Sequence, residues 1–315
     1  MQFEHSALEP AGSMAMRIEH LWWLFVGISV VVYVVVLAFL VHALVRRKRE
    51  RAGQEMAAAE ARSRIVIGCA IATTVFVLAT LAISDFMTGR VLARTPGDPL
   101  RIVLTGHQWW WEAEYVDPIS SNRVRTANEL HIPTGRSVLF ELKSVDVIHS
   151  FWVPNLQGKR DMLPGRTNHM ALIADRPGMY EGQCAEFCGF QHAKMRLGLR
   201  AELPAEFDAW KARMLQPARE PVSAQEKRGQ EVFLASSCIL CHAIQGTPAS
   251  ATNGPDLTHV ASRSRIAAGA LQNTADNIAS WIRNPQAIKP GSQMPATALA
   301  PADLAALATY LSSLS

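Results

Sequence analysis

Two long apolar segments dominate the first third of the chain. The first, LWWLFVGISVVVYVVVLAFLVHALV, runs from about Leu21 to Val45, and the second, IVIGCAIATTVFVLATLAISDFM, runs from about Ile65 to Met87. Each exceeds the roughly 20 residues that an α-helix needs to cross the hydrocarbon core of a bilayer. Both stay apolar on every face, which is rare for a helix in the core of a soluble protein. The pattern therefore predicts a transmembrane helical hairpin within residues 21–90.

A different periodicity begins after the second apolar segment. Apolar and polar residues alternate in short runs at 101–104, 137–142 and 169–173, and turn signals that contain proline and glycine separate these runs. Several short strands at such spacing are typical of a sandwich or a barrel. We therefore expect an all-β domain over residues 99–203.

The last third of the chain returns to helical periodicity. A predicted helix and a proline-containing linker occupy residues 204–222. A capping box from Ser223 to Glu226 then begins a new helical run, and residues 301–311 place three leucines on one face of a further helix. The pattern predicts an all-α domain over residues 223–315.

Charge sets the direction of the predicted hairpin. The loop between the two apolar segments begins Arg-Arg-Lys-Arg-Glu-Arg, and such basic loops stay in the cytoplasm. Residues 1–20 and everything after the second helix are then external, and no cleavable signal peptide is predicted ahead of the first helix. We expect a protein of the bacterial inner membrane with its folded domains on the periplasmic, outer face. The bilayer is an expected partner, and nucleic acid is not.

Cysteine usage gives the first indication of chemistry. The chain has five cysteines, an odd count with two close pairs, which fits metal or cofactor chemistry better than disulfides. Cys238-Ile-Leu-Cys241-His242 is the pattern of covalent c-type haem attachment, in which two thiols bind the vinyl groups and the histidine binds the iron. Met294 is the only methionine after Cys241, so we predict it as the second axial ligand.

A second cysteine pair lies in the predicted β-domain. Cys184, Cys188, His192 and Met195 follow one another at steps of four, four and three residues. This soft ligand set suits copper, and the second thiolate allows two copper ions to be bridged. Another histidine must complete the set. The residues alone leave four candidates for it: His107, His131, His149 and His169.

The stretch from residue 223 to residue 314 resembles class I cytochromes c. Besides the haem motif, the resemblance is carried by Gly229, Phe233, Tyr310, Leu311 and the tripeptide Asn253-Gly-Pro255. It implies a helical cytochrome c fold with a covalent haem c. It also implies that the carbonyl of Pro255 holds the ring of His242, the proximal ligand.

Residues 21–203 resemble the CuA-containing subunit II of haem–copper oxidases. The motifs that carry the resemblance are Asp146-Val-Ile-His149-Ser, Pro164-Gly-Arg166, Gly182-Gln-Cys184 and the loop through Met195. The resemblance implies a two-helix hairpin followed by a cupredoxin β-sandwich with a binuclear copper centre, CuA. The implied copper ligands are His149, Cys184, Glu186 through its backbone carbonyl, Cys188, His192 and Met195.

The same resemblance assigns roles to residues around the copper. The carboxylate of Glu186 would reach a Mg²⁺ or Mn²⁺ at the boundary with subunit I, and Asp146 would belong to that boundary. Trp109, within Gly106-His-Gln-Trp-Trp-Trp111, would accept electrons on their way to CuA. The family often has a glutamate at the mouth of a proton pathway before its second helix. Glu60 precedes the second helix here, but the signature around it is missing, so its role stays open.

Together the two resemblances imply subunit II of a caa3-type cytochrome c oxidase, an enzyme whose oxygen-reducing site lies in another subunit. Electrons from an external donor, either a cytochrome c or a quinol–cytochrome c reductase, would pass through haem c and CuA to subunit I. That subunit would hold haem a and haem a3–CuB, would associate with subunit III, and would couple oxygen reduction to proton translocation. The alternatives are the electron-accepting subunit of a CuA-containing nitric oxide reductase and, more distantly, a membrane-bound copper-binding or chaperone protein.

Overall fold

A computed structural model describes residues 3–47 and 56–315 of the chain. Its contacts divide it into two compact units, which are considered separately. Residues 16–94 form one unit. The other combines the N-terminal segment up to Ala15 with Thr95–Ser315.

Two long helices make up the first unit. Helix α1 spans Ser13–Arg47 and helix α2 spans Met56–Leu92, so both extend beyond the predicted apolar segments. The most apolar windows of α1 and α2 have mean hydropathies of 3.0 and 2.4, and no side chain in them is buried. Both helices are long and apolar enough to cross a membrane. The predicted apolar helices are confirmed. The start of the basic loop and the side chain of Glu60 lie outside the described residues.

Ten strands follow in the second unit. Their bounds are β1 Leu100–His107, β2 Trp110–Tyr115, β3 Val124–Ala127, β4 Glu129–Pro133, β5 Val138–Ser144, β6 His149–Trp152, β7 Arg160–Met162, β8 Asn168–Leu172, β9 Gly178–Cys184 and β10 Arg196–Glu202. The three strand runs expected from alternation coincide with parts of β1, β5 and β8.

The strands form two five-stranded sheets in the orders β3-β2-β1-β5-β8 and β4-β10-β9-β6-β7. The pairs β1–β5 and β4–β10 are parallel, whereas the other pairs are antiparallel. Alternating residues of β1, β2 and β5 are buried, as two packed sheets require. This arrangement is the predicted sandwich, and its buried centre includes Trp111, Phe140 and Phe151.

Helical structure resumes after the sandwich. Helix α3, Pro204–Met214, packs Phe207 and Trp210 onto the sandwich core. The remaining elements are α4 Ala224–Ala235, β11 Arg265–Ile266, β12 Leu271–Gln272, α5 Ala275–Arg283, α6 Pro285–Ile288 and α7 Pro301–Ser313. The predicted capping box begins α4, since Ser223 Oγ accepts from the amide of Glu226 at 3.1 Å and the Glu226 carboxylate accepts from the amide of Ser223 at 3.2 Å.

The N-terminal segment pairs with the sandwich. The amide of Glu4 donates to the carbonyl of Met179 at 2.7 Å, and the amide of Glu181 donates back to the carbonyl of Glu4 at 2.8 Å. Further along, the amide of Ala11 donates to the carbonyl of Asn155 at 2.7 Å. The residues that precede α1 are therefore part of the same folded unit as the β-sheets.

Candidate metal centre and adjoining cavity

Three strands and one loop bring a cluster of sulfur and nitrogen atoms to one end of the sandwich. His149 begins β6, Cys184 ends β9, and the loop that carries Cys188 and His192 leads to Met195 just before β10. Because β6 and β9 are paired, with Phe151 opposite Cys184, the first histidine and the first cysteine come together although they are far apart in sequence. All but His192 of these five side chains are buried.

The distances between the donor atoms fit a shared metal centre. The sulfurs of Cys184 and Cys188 lie 3.7 Å apart. Nδ1 of His149 lies 3.8 Å from the Cys184 sulfur, and Nδ1 of His192 lies 3.7 Å from the Cys188 sulfur. Because metal–thiolate bonds measure about 2.3 Å, both sulfurs would lie within reach of a shared metal centre, which Cys184 and Cys188 would hold together.

Two weaker donors lie beside the sulfur pair. The Met195 sulfur lies 3.9 Å from that of Cys188, and the backbone carbonyl of Glu186 lies 3.1 Å from the sulfur of Cys184. The structure thus brings together all six atoms that the sequence resemblance named. A set of two thiolates, two imidazoles, a thioether and a carbonyl is soft overall and suits copper.

The two cysteine thiols are strongly coupled. The hydrogen bond from Cys188 lowers the pKa of Cys184 to about 3, and the Cys184 sulfur in turn raises the pKa of Cys188. Cys184 is therefore ready to bind a cation as a thiolate, because the thiolate is the form that binds metal. Metal bound to both sulfurs has to displace the Cys188 proton as well.

Asp146 fixes the orientation of the His149 ring. Its Oδ1 lies 2.8 Å from Nε2 of His149, and its Oδ2 accepts from the amide of Gln108 at 2.7 Å. A histidine that donates from Nε2 to a carboxylate presents its Nδ1 lone pair to a metal. The ring also packs closely on Gly106, where an added Cβ would lie 2.8 Å from the histidine Cδ2.

The other candidate histidines lie elsewhere, and two of them have acidic partners. His131 stacks on Trp210 and lies 3.0 Å from a carboxylate oxygen of Glu202. His107 lies 3.3 Å from a carboxylate oxygen of Glu112. His169 stands on β8, in the other sheet from β6 and β9. The geometry therefore selects His149, a choice that residue order alone left open.

Trp109 and Gln108 connect the cysteine loop to a neighbouring cavity. The indole nitrogen of Trp109 donates to the carbonyl of Cys188 at 2.9 Å, and the side-chain amide of Gln108 donates to the same carbonyl at 2.7 Å. Both residues also line a cavity of about 410 Å³. Trp110 lines the cavity too, whereas Trp111 is fully buried in the sandwich.

The haem motif lines the same cavity. Cys238, Cys241 and His242 lie on one wall, and Met294 also contributes to the lining. Nδ1 of His242 donates to the carbonyl of Pro255 at 2.7 Å, which leaves Nε2 to bind iron. Burial lowers the pKa of His242, which favours the neutral ring that metals require. The absence of a side chain at Gly254 makes room for the ring, because an added Cβ would lie 2.8 Å from its Cε1.

Arg263 tests whether the cavity fits a haem. This arginine lines the cavity and is 8% exposed, and its Nε has no hydrogen-bond partner within the protein. A buried guanidinium without an anionic partner is costly. Haem carries two carboxylates that can supply the missing acceptor, so the cavity suits haem in charge as well as in ligands. Nothing in the sequence marks Arg263 for this role, because an arginine in a loop carries no signal of burial.

Fold and site together define a membrane-anchored chain with two neighbouring sites of redox type. Residues 100–201 match the family described as "Cytochrome C oxidase subunit II, periplasmic domain", and residues 226–315 match the family described as "Cytochrome c". The matched families imply that the chain binds copper and haem.

Relatives of known identity match over nearly the full length. Cytochrome c oxidase subunit 2 of Alkalihalophilus pseudofirmus is 36% identical over 316 residues, covering 98% of this chain and 90% of that protein. The Bacillus subtilis protein of the same name is 30% identical, covering 98% and 91%. The crystal structure of the periplasmic domain of subunit II of cytochrome oxidase of Bradyrhizobium japonicum is 30% identical, with a TM-score of 0.36, over 38% of this chain and 96% of that one. This chain belongs to the cytochrome c oxidase subunit II family, whose members are subunits of an oxidoreductase complex.

Proposed function

We propose that the chain is subunit II of a caa3-type oxidase, which passes electrons from haem c to CuA and on to subunit I for the reduction of oxygen to water. Haem c and CuA each supply a one-electron carrier when bound. We assign residues 99–203 to the copper domain, 204–222 to a helix and linker, and 223–315 to the haem domain. The external donor, subunit III and coupled proton translocation belong to the same proposal.

The position of Trp109 is the observation that carries this proposal. Its indole is hydrogen-bonded to the backbone of Cys188, and its ring lines the cavity that His242 and Met294 also line. An ideal Cβ at Gly291 would lie 3.4 Å from the ring, so the loop that leads to Met294 lies against the indole. One buried side chain thus contacts both candidate sites, as an electron route within a single chain requires.

Chain topology supports a common side of the membrane for both sites. The segment before α1 is hydrogen-bonded to the sandwich through Glu4 and Ala11. A segment and a domain that pair directly must lie on the same side, and a hairpin of two crossings returns the chain to that side. With the basic loop in the cytoplasm, we place both sites on the periplasmic face of the bacterial inner membrane.

A shared divalent ion at Glu186 is a further part of the proposal. In this structure the Glu186 carboxylate pairs with Nζ of Lys159 at 3.1 Å. Mg²⁺ or Mn²⁺ prefers carboxylate oxygens and would have to displace this lysine. The ion therefore belongs to the assembled complex with subunit I, in which the surroundings of Glu186 change.

Replacing Asp146 with alanine is expected to weaken copper binding by about 10- to 100-fold, because His149 loses the partner that orients its ring. The measurement is a chelator competition titration in which the copper absorption bands report occupancy. Asp98→Ala removes an exposed carboxylate of the same unit and should leave the affinity unchanged. Equal affinities for Asp146→Ala and the unmodified protein would refute the orienting role.

Met294→Leu is expected to lower the haem potential by roughly 100 mV or more, since axial ligands move haem potentials over about 0.8 V. A redox titration of the haem absorption gives the value. Met214→Leu, at another half-buried methionine, is the matched control and should leave the potential in place. An unchanged potential in Met294→Leu would exclude this methionine as an iron ligand.

Purification of the whole complex tests the proposed function. We expect the chain to co-purify with a large subunit that contains haem a, and the complex to consume oxygen when it receives electrons from reduced cytochrome c. The donor assay should be repeated with nitric oxide as the acceptor. A complex that reduces nitric oxide and does not consume oxygen would overturn the oxidase assignment in favour of a nitric oxide reductase.

A further inference from the structure

Lys289 is a lysine buried at the contact between the sandwich and the C-terminal helical domain. Its side chain is 3% exposed. Nζ donates to three backbone carbonyls, those of Trp109 at 2.8 Å, Lys194 at 2.9 Å and Ala267 at 3.2 Å. These carbonyls belong to three separate segments: the connection between β1 and β2, the cysteine loop just before Met195, and the turn between β11 and β12.

The three acceptors match the donors of an ammonium group. A lysine ammonium has three N–H donors and no acceptor, so three carbonyls saturate it. Lysine is almost never fully buried unless it has such partners. Burial lowers the pKa of Lys289 to about 7, which means that holding the charged form of this lysine in the site costs free energy. A methionine would fill the same space without that cost, which indicates that the hydrogen bonds themselves have a role.

Neighbouring contacts join the same two parts of the protein. The side chain of Lys194 donates to the carbonyl of Ile288 at 2.6 Å, and that of Gln191 donates to the carbonyl of Pro290 at 2.9 Å. The amide of Arg196 donates to the carbonyl of Ala268 at 3.1 Å. The segment from residue 191 to residue 196, which includes two candidate copper ligands, is therefore hydrogen-bonded to the C-terminal domain on both sides of Lys289.

Lys289 also begins the stretch that leads to Met294. We define residues 289–294 as the methionine loop. Gly291 of this loop lies against the Trp109 ring, and the ammonium at the start of the loop holds the Trp109 carbonyl. The methionine loop thus contacts Trp109 twice, through a hydrogen bond to its backbone carbonyl and through packing against its ring.

We propose that Lys289 is a positioning residue that holds the methionine loop against Trp109 and so fixes the contact across which haem c reduces CuA. The inference rests on the proposed function, since it concerns that one-electron step. In the step, the ferrous haem loses one electron and the oxidised copper pair gains it, with no bond made or broken and no proton transferred. Lys289 touches neither metal and acts only through the loop and the tryptophan.

The test uses the intact oxidase complex with Lys289→Met. We expect electron transfer from haem to copper, measured after flash reduction of the haem, to slow about tenfold, because fewer molecules keep the methionine loop against Trp109. The haem spectrum and the near-infrared copper band should stay unchanged, because no ligand is altered. Lys227→Met, at an exposed lysine of α4, should transfer at the unmodified rate.

A second variant separates positioning from general loosening of the contact. The amide of Ser264 donates to a carboxylate oxygen of Glu129 at 2.9 Å, and its hydroxyl donates to the same oxygen. This pair also joins the two domains. Ser264→Ala should slow the transfer far less than Lys289→Met. If the two variants slow it equally, or if Lys289→Met matches the unmodified rate, the inference is overturned. No transfer in the unmodified complex would overturn the proposed function, and the inference with it.

Hydrogen exchange supplies a readout that is independent of electron transfer, and the amides of β1 report in the same experiment whether the variant is folded. In the unmodified complex the Arg196 amide, bonded to Ala268 across the contact, should exchange as slowly as amides in the centre of β10. In Lys289→Met it should exchange faster, while amides of β1 stay protected. Exchange of the Arg196 amide at the rate of an exposed loop in the unmodified complex would show that the contact does not persist, and would overturn the inference.

Discussion

Cys188→Ser is expected to abolish the near-infrared absorption of the copper centre and to reduce oxygen consumption by the complex to background. The Cys188 sulfur lies within 4 Å of three other donor atoms, those of Cys184, His192 and Met195. A serine hydroxyl is a hard and weakly acidic ligand that cannot replace a bridging thiolate. Copper content should fall from two ions per chain to one or none, measured by elemental analysis together with absorption spectra.

The haem provides an internal control in the same variant. We assign haem attachment to Cys238 and Cys241, which this variant leaves in place, so covalent haem should be retained at one per chain. Cys69→Ser, at an exposed cysteine of α2, should leave both centres and the activity intact. Retention of the near-infrared band in Cys188→Ser would contradict the assignment of two shared thiolates.

Gly229→Ala is expected to destabilise the C-terminal domain by about 2 kcal/mol. An added Cβ would lie 2.2 Å from the carbonyl oxygen of Ala306 and 2.6 Å from the Cβ of Tyr310, so α4 and α7 must separate. Overpacking of this kind costs about 1–3 kcal/mol and occasionally more, whereas the gain in helix propensity from glycine to alanine is at most about 1 kcal/mol. The steric cost therefore dominates.

Thermal unfolding, monitored through the haem absorption, measures this loss of stability. For a domain of this size, about 2 kcal/mol corresponds to a fall in Tm of roughly 8 °C or more. Gln225→Ala, at an exposed position of the same helix, should change Tm by no more than about 3 °C. A Gly229→Ala variant that unfolds at the unmodified temperature would show that the two helices do not pack as closely as described.

Local signals in the sequence were sufficient to predict the elements and to group most of the candidate ligands. The capping box at Ser223 begins α4 as predicted, because it depends on contacts within four residues. The same is true of the cysteine loop, in which Cys184, Cys188 and His192 are close in sequence and their donor atoms are close in space. Apolar length alone predicted the two long helices.

Contacts between distant segments were beyond sequence reasoning. Without the family resemblance, the residue types alone gave no reason to prefer His149 over His131. The pairing of β6 with β9 is what brings His149 to Cys184. In the sequence Lys289 is an ordinary charged residue in an irregular stretch, yet its hydrogen-bond acceptors lie up to 180 residues away along the chain. Arg263 likewise appears as a polar loop residue until the cavity around it is known.

The most direct test of the account is the quantitation of copper and covalent haem in the purified complex, normalised to this chain. The structure brings two cysteines, two histidines, a methionine and a carbonyl into one cluster, and it places the haem motif on a cavity that shares Trp109 with that cluster. We predict two copper ions and one covalent haem per chain. A single copper ion per chain, or a haem that is removed by acid and organic solvent, would contradict the account.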